Sequence, residues 1–213
     1  VNFLYKKKNE PTPTGTCLIL ITPDSERTMC TFLGTAGKVS DKDVDANIIK
    51  RAELTFLEGY LWDEGEPKTA FDKAILNSSK VAMSLSDLFC VERHKAQFLE
   101  LVKNKLDIIF ANEQEILSLI DSKSFDETVA FAKNLNKNVV ITRGEKGAVA
   151  VNNGEIIECS AKKKLNITDL TGAGDLFAAG YLHGVINHKS IKESLEKGTE
   201  LSAKIIQKIG ARI

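Results

Sequence analysis

The stretch Asp107-Ile108-Ile109-Phe110-Ala111-Asn112-Glu113-Gln114-Glu115 passes without a spacer from an apolar run into a polar, acidic segment. The run reads as a strand, and Asn112 with Glu115 three residues on has the spacing of a capping box at a helix start. Working outward, further strand candidates stand at Glu53 to Gly59, Val81 to Leu85 and Asn138 to Thr142. Residues 65–77, 87–103, 112–120 and 125–135 read as the helices between and after them. Such alternation calls for a mostly parallel sheet covered by helices, with right-handed crossovers and a ligand edge at the carboxyl ends of the strands. Asn112 and Thr142 both fall at such ends. Two closing helices are predicted over residues 176–187 and 190–209, and Gly15 to Gly34 reads as two strands joined by a polar turn.

The run Asp169-Leu170-Thr171-Gly172-Ala173-Gly174-Asp175 carries the chemistry. Gly172, Ala173 and Gly174 leave the backbone unshielded where a helix begins, and the first amides of a helix lack intrahelical partners and attract anions. Asp175 would lie in the first turn, close enough to accept a proton from a hydroxyl approaching a phosphoryl group held there, so one turn supplies a base and an anion hole. The bland alternative is a glycine-rich helix start with an ordinary N-terminal aspartate. Thr171 and Asp169 shift the balance by placing two more polar side chains beside the same backbone. A dinucleotide fingerprint would need glycine where Phe177 stands, and Gly37-Lys38 continues to Val39 rather than to the hydroxyl residue of a Walker A loop. A nicotinamide-linked oxidoreductase and a P-loop enzyme both lose support.

This turn resembles the C-terminal signature Asp-Thr-x-Gly-Ala-Gly-Asp of the ribokinase-like (PfkB) carbohydrate and nucleoside kinases, with Leu170 in the second place. The resemblance implies that Asp175 is the base that activates the acceptor hydroxyl. It likewise implies that the Gly172, Ala173 and Gly174 amides stabilise the transferred phosphoryl group. Asp169 and Thr171 correspond to residues near the ATP phosphates and, in some members, a monovalent cation. Asn112 and Glu115 resemble the family's Asn-x-x-Glu motif, which positions Mg²⁺ and its waters. Thr142-Arg143-Gly144-Glu145-Lys146-Gly147, by itself a hairpin turn, is similar to the family's Thr-x-Gly-x-x-Gly nucleotide segment. That similarity implies nucleotide contacts at Thr142, Gly144 and Gly147. Gly198, Ser202 and Ala203 would let the last helix approach the adenine, and plain helix packing explains them equally well. Family members often carry Asn after that glycine, whereas Thr199 stands here.

The family's three-layer α/β sandwich is the implied fold. Residues 1–34 correspond to a partial lid with lead-in strands, and residues 35–213 to the nucleotide-binding and catalytic core. Adenosine kinase-like members give the nearest likeness, through Gly15 to Gly34 and Ser84 to Arg93. Those relatives often have Asn where Cys30 stands, and Ser86 or Asp87 reads equally as a helix cap. Family members open with a strand and a Gly-Gly substrate motif well ahead of the point that matches Val1, so the chain resembles the C-terminal two thirds of a longer protein. Pairing of lid strands between subunits, as in some members, would give a homodimer.

The chain has 213 residues, 43% of them hydrophobic, with 29 acidic side chains against 29 Lys plus Arg. That suits one large domain, and the zero balance argues against nucleic acid or an anionic membrane as the main partner. Lys6-Lys7-Lys8 and Lys162-Lys163-Lys164 read as solvated surface. Cys17, Cys30, Cys90 and Cys159 are scattered without metal-ligand spacing, and no apolar run approaches the roughly 18 residues of a membrane span. These features make the cytoplasm the default location. The leading expectation is Mg²⁺-ATP-dependent phosphorylation of a hydroxymethyl group on a sugar or nucleoside. The alternative is a non-catalytic nucleotide-binding or assembly module of the same fold.

Overall fold

The computed structural model describes residues 2, 4, 10–62 and 65–213; the Lys6-Lys7-Lys8 cluster lies outside them. A six-stranded sheet is built in spatial order from β3 (Thr55–Glu58), β4 (Val81–Ser84), β5 (Ile108–Asn112), β6 (Asn138–Thr142), β7 (Ala148–Asn152) and β8 (Glu155–Cys159). The first four run parallel, while β7 and β8 are antiparallel to their predecessors. A separate hairpin, β1 (Thr16–Ile21) with β2 (Arg27–Phe32), pairs Thr16 with Phe32 and Ile21 with Arg27. Leu18, Leu20, Met29 and Phe32 of that hairpin are exposed.

Alternation along each strand sorts the core into two layers, because successive side chains point to opposite faces. Val81, Met83, Ile109, Val139, Ile141 and Val151 face one side. There they meet Phe71 of α2 (Glu66–Asn77), Phe98 of α3 (Leu88–Asn104), Ile116 of α4 (Glu113–Leu119) and Ala132 of α5 (Phe125–Leu135). Ala82, Ile108, Phe110, Val140 and Ala150 face the other side, against Phe177, Tyr181 and Leu182 of α6 (Ala173–Ile186) and Leu195 of α7 (Ile191–Ile205). The expected helix–sheet–helix layering is therefore present. Tyr181 is wholly buried in the second layer, and its hydroxyl is satisfied by the Asn138 side chain at 2.8 and 3.0 Å.

Helix α6 packs on α7 through small residues. A Cβ on Gly180 would lie 2.7 Å from the Lys197 carbonyl, one on Gly184 2.3 Å from Ser194 Oγ, and one on Gly198 2.7 Å from the Phe177 carbonyl. Only a missing side chain permits that approach.

The boundaries differ from expectation where tertiary contacts intervene. The first core strand is Thr55–Glu58 rather than Glu53 to Gly59. Helix α6 starts at Ala173 rather than residue 176, and Asp175 lies in its first turn, where the motif reading put it. Helix α7 stops at Ile205 because the Ile206 carbonyl accepts the Thr168 and Asp169 amides, at 2.8 and 3.2 Å, and residues beyond it turn back. Two elements absent from the sequence reading are β8 and the short helix α1 (Ala46–Arg51), which Asp45 caps through the Asn47 and Ile48 amides. Lys162, Lys163 and Lys164 are exposed, as expected. No helix among the described residues is long and apolar enough to cross a membrane.

Candidate active site

Four parallel strands end side by side at one edge of the sheet, where Glu58 pairs with Ser84 and Asn112 with Thr142. β8 ends at the same edge, since Cys159 pairs with Ala148 and Ala148 with Thr142. Residues 160–172 then carry the chain to the start of α6. Asn112, Glu115 and Thr142 stand at or just beyond this edge, and Asp169, Thr171 and Asp175 lie on or just after the segment that leaves it.

The turn at α6 is locked by its backbone. Gly172 is the N-cap in the left-handed region, with φ 78°, and a Cβ there would press on Ala211 at 3.1 Å; both facts demand glycine. The Ala173 amide donates to the Leu170 carbonyl at 3.2 Å. The amides of Gly172, Gly174 and Asp175 have no backbone acceptor among the described residues, so they, rather than that of Ala173, are free to meet an anion. Asp175 is exposed, and its carboxylate makes no hydrogen bond or ion pair among the described residues. An unpartnered carboxylate thus stands beside unpartnered amides on the positive end of a helix dipole.

Asp169 has the opposite character. It is 1% exposed; Oδ1 accepts the Thr171 amide at 2.8 Å and the Thr171 hydroxyl at 2.6 Å, and Oδ2 accepts the Gly210 amide at 2.8 Å. Burial works to raise its carboxyl, but these hydrogen bonds, with the charge of Arg27, hold it below the ordinary aspartate range. Asp169 and Thr171 therefore brace the turn against the segment that follows α7. The tip of the β1–β2 hairpin reaches the same place, where the Ser25 hydroxyl donates to the Ile167 carbonyl at 3.1 Å.

Asn112 and Glu115 form the reciprocal capping box in full. Glu115 donates its amide to Asn112 Oδ1 at 2.8 Å, while its carboxylate accepts the Asn112 amide at 2.9 Å and the Asn112 side chain at 2.6 Å. The Glu115 carboxyl is pushed up to about 7, chiefly by burial and further by the charge of Asp87, against the pull of the Asn112 hydrogen bonds. Among the described residues no three His, Cys, Asp or Glu side chains are grouped to hold a metal. One carboxylate with an amide fits a hydrated Mg²⁺, which keeps several waters and takes substrate phosphate oxygens.

In the turn after β6 the Arg143 amide donates to the Gly147 carbonyl at 2.8 Å. Gly147, at φ 93°, presses on the end of β8, where a Cβ would lie 2.0 Å from the Cys159 carbonyl. The side of Gly144 is open. Gly198 is buried against Phe177, so the structure accounts for its missing side chain by packing.

Two residues the sequence reading passed over join the site. Glu58, the last residue of β3, has its carboxyl pushed up to about 7, first by burial and then by the charge of Asp175. Tyr60 donates its hydroxyl to the Ser86 carbonyl at 2.9 Å. Burial and then the charges of Asp87, Asp175, Cys90 and Glu115 push that hydroxyl up. The signal for Glu58 was available, since it closes a strand at the same edge as Asn112 and Thr142. Asp87 caps α3 through the Phe89 amide at 3.1 Å, the plainer of its two readings.

The chain as a whole is similar to known proteins. An adenosine kinase from Dictyostelium discoideum is 29% identical over 221 residues, covering 94% of this chain and 64% of its own length. The crystal structure of adenosine kinase from Sinorhizobium meliloti matches with a TM-score of 0.91 and 36% identity, over 94% of this chain and 63% of that one. Ribokinase from Thermotoga maritima, 21% identical, shares the fold with a TM-score of 0.75 over 94% of this chain and 66% of its own. The chain spans about 64% of the length of the curated adenosine kinase it matches. The family model for pfkB family carbohydrate kinase matches residues 1–213 from end to end, and with the ribokinase-like sheet and the turn at its carboxyl edge, the chain belongs to that family.

Proposed function

We propose that this chain carries the nucleotide-binding and phosphoryl-transfer part of an ATP-dependent kinase that phosphorylates a hydroxymethyl group of a nucleoside or sugar. The observation that carries the reading is the pairing of the unpartnered Asp175 carboxylate with the free amides of Gly174 and Asp175, on one helix end at the carboxyl edge of the sheet. Asp175 takes the proton from the acceptor hydroxyl, and the amides with the helix dipole stabilise charge on the migrating phosphoryl group. Gly172 and Ala173 shape that turn. Asp169 and Thr171 hold it in place beside the ATP phosphates. A monovalent cation at Asp169 would share oxygens already engaged by Thr171 and Gly210.

Thr142, Gly144 and Gly147 flank the nucleotide, and α7 at Gly198 lies toward the adenine. Asn112 and Glu115 would hold Mg²⁺ through its waters; the ion supplies charge neutralisation on the phosphates. Glu58 lines the approach to Asp175. Residues 1–34 serve as a partial lid with lead-in strands to the core of residues 35–213, and the exposed apolar side chains of the hairpin suit closure over an acceptor or pairing between subunits. The likeness to adenosine kinases and the name of the family support nucleosides and sugars as the two acceptor classes.

The test is Asp175→Asn in the protein expressed from its complete coding sequence. ADP release should fall by about 10²-fold or more, with the calorimetric affinity for Mg²⁺-ATP little changed. Near-normal turnover in that variant would sink the assignment. The alternative is a nucleotide-binding or assembly module of the same fold without turnover. ATP binding with no ADP release on ribose, fructose, adenosine or inosine would favour it.

A further inference from the structure

Asn112 and Thr142 pair across β5 and β6, so the first residue of α4, Glu113, and the first residue of the turn after β6, Arg143, emerge side by side. Arg143 donates Nε to Glu113 Oε2 at 3.0 Å and Nη2 to Oε1 at 3.2 Å, a fork-to-fork pair. Both side chains are largely shielded, at 19% and 23% exposure. The guanidinium carbon also lies 3.5 Å from the centre of the Phe125 ring, and Phe125 is itself packed on the core. Lys146 approaches the same Glu113 oxygen at 3.6 Å while remaining 64% exposed. The Arg143 hydrogen bond is the main reason that the Glu113 carboxyl lies below the ordinary range.

A surface ion pair usually contributes little to stability. This one is bidentate and stacked on an aromatic face, the geometry in which Arg and Lys are not interchangeable. It fixes the side chain of a residue whose backbone helps close the turn, since the Arg143 amide donates to the Gly147 carbonyl and the Arg143 carbonyl accepts the Lys146 amide. On the same turn nothing lies within 4 Å of where a Gly144 Cβ would stand, so that side is open.

We propose that Glu113, Arg143 and Phe125 form a clamp that presets the Thr142–Gly147 turn for the nucleotide, making them positioning residues for ATP rather than for the acceptor. The inference rests on the kinase reading above. The clamp joins the helix start that bears Asn112 and Glu115 to the turn that would flank ATP, so the metal motif and the nucleotide turn are held as one unit. With the turn preformed, ordering it on binding costs less.

The experiment compares wild type, Glu113→Gln, Arg143→Lys and Phe125→Leu, each expressed from the complete coding sequence and checked by thermal melting. Calorimetry measures the Kd for Mg²⁺-ATP. ADP release is followed with whichever of adenosine, inosine, ribose or fructose supports the fastest rate. Glu113→Gln and Arg143→Lys should each raise Kd and KM for ATP by about tenfold, equivalent to ~1.4 kcal/mol. Kcat at saturating ATP and KM for the acceptor should hold. Phe125→Leu keeps an apolar contact without the stacked face and should give a smaller rise, which preserves the test should the other variants fold poorly. Folded variants with unchanged ATP affinity would overturn the clamp, as would a loss spread equally over kcat and the acceptor KM. Wild type that binds no ATP would overturn the kinase reading itself, and the clamp with it.

Discussion

The charge of Asp175, on the first turn of α6, bears on the carboxyl of Glu58 at the end of β3. Two acidic groups from segments more than a hundred residues apart thus share one edge of the sheet. Burial is the larger reason that ionising Glu58 is costly, and the Asp175 charge adds to it.

That relationship gives the chain a pH-dependent stability. Glu58 and Glu115 both have carboxyls near 7, above the 4.5 of an ordinary glutamate. Between those values the folded chain holds protons that the unfolded chain releases. Stability is therefore greatest below about 4.5 from these two groups and declines as the pH rises through 7. Urea midpoints measured from pH 4.5 to 8 should show the decline, and Glu58→Gln should flatten part of it. A variant with the wild-type slope would remove Glu58 from the account.

Gly198→Ala tests whether that glycine serves packing. A methyl group there would meet the Phe177 carbonyl at 2.7 Å and its ring at 3.1 Å, an overpacking that costs typically about 1–3 kcal/mol. The melting temperature should fall whether or not the glycine also lies against the adenine. A stable variant that loses only ATP affinity would instead point to an adenine contact.

Asp169→Asn probes the brace under the turn. With its oxygen kept toward Thr171, asparagine turns an NH2 donor toward the Gly210 amide, which is itself a donor. Leaving that buried bond unmade should lower stability by about 1–3 kcal/mol, read from denaturant unfolding. Unchanged stability would mean that the segment after α7 holds its place without Asp169.

Much of this was legible in the chain because buried parallel strands are apolar runs, and 81–84, 108–112 and 138–142 stand out as such. β8 did not, since four of its five residues, Glu155 to Glu158, remain exposed or half-exposed and it offers no continuous apolar face. The six residues of α1 are too few for a helical period to show. At the site, Asn112 and Glu115 could be read as a cap or as a metal motif, and the cap is fully formed. The brace at Asp169 depends on Gly210, 41 residues later, a bond that no local pattern announces. Glu58 was within reach of the same topological rule that singled out Asn112, but it lacked a motif to draw attention to it.

The reversal at β7 and β8 has a consequence of parity. β6 delivers the chain to the edge that bears the site, β7 takes it away, and β8 brings it back. One antiparallel strand would have left the chain on the far side of the sheet, with the start of α6 pointing away from Glu58 and Asn112. Hairpins can therefore be added or removed at this border only in whole pairs of strands if the carboxylate on α6 is to keep its address.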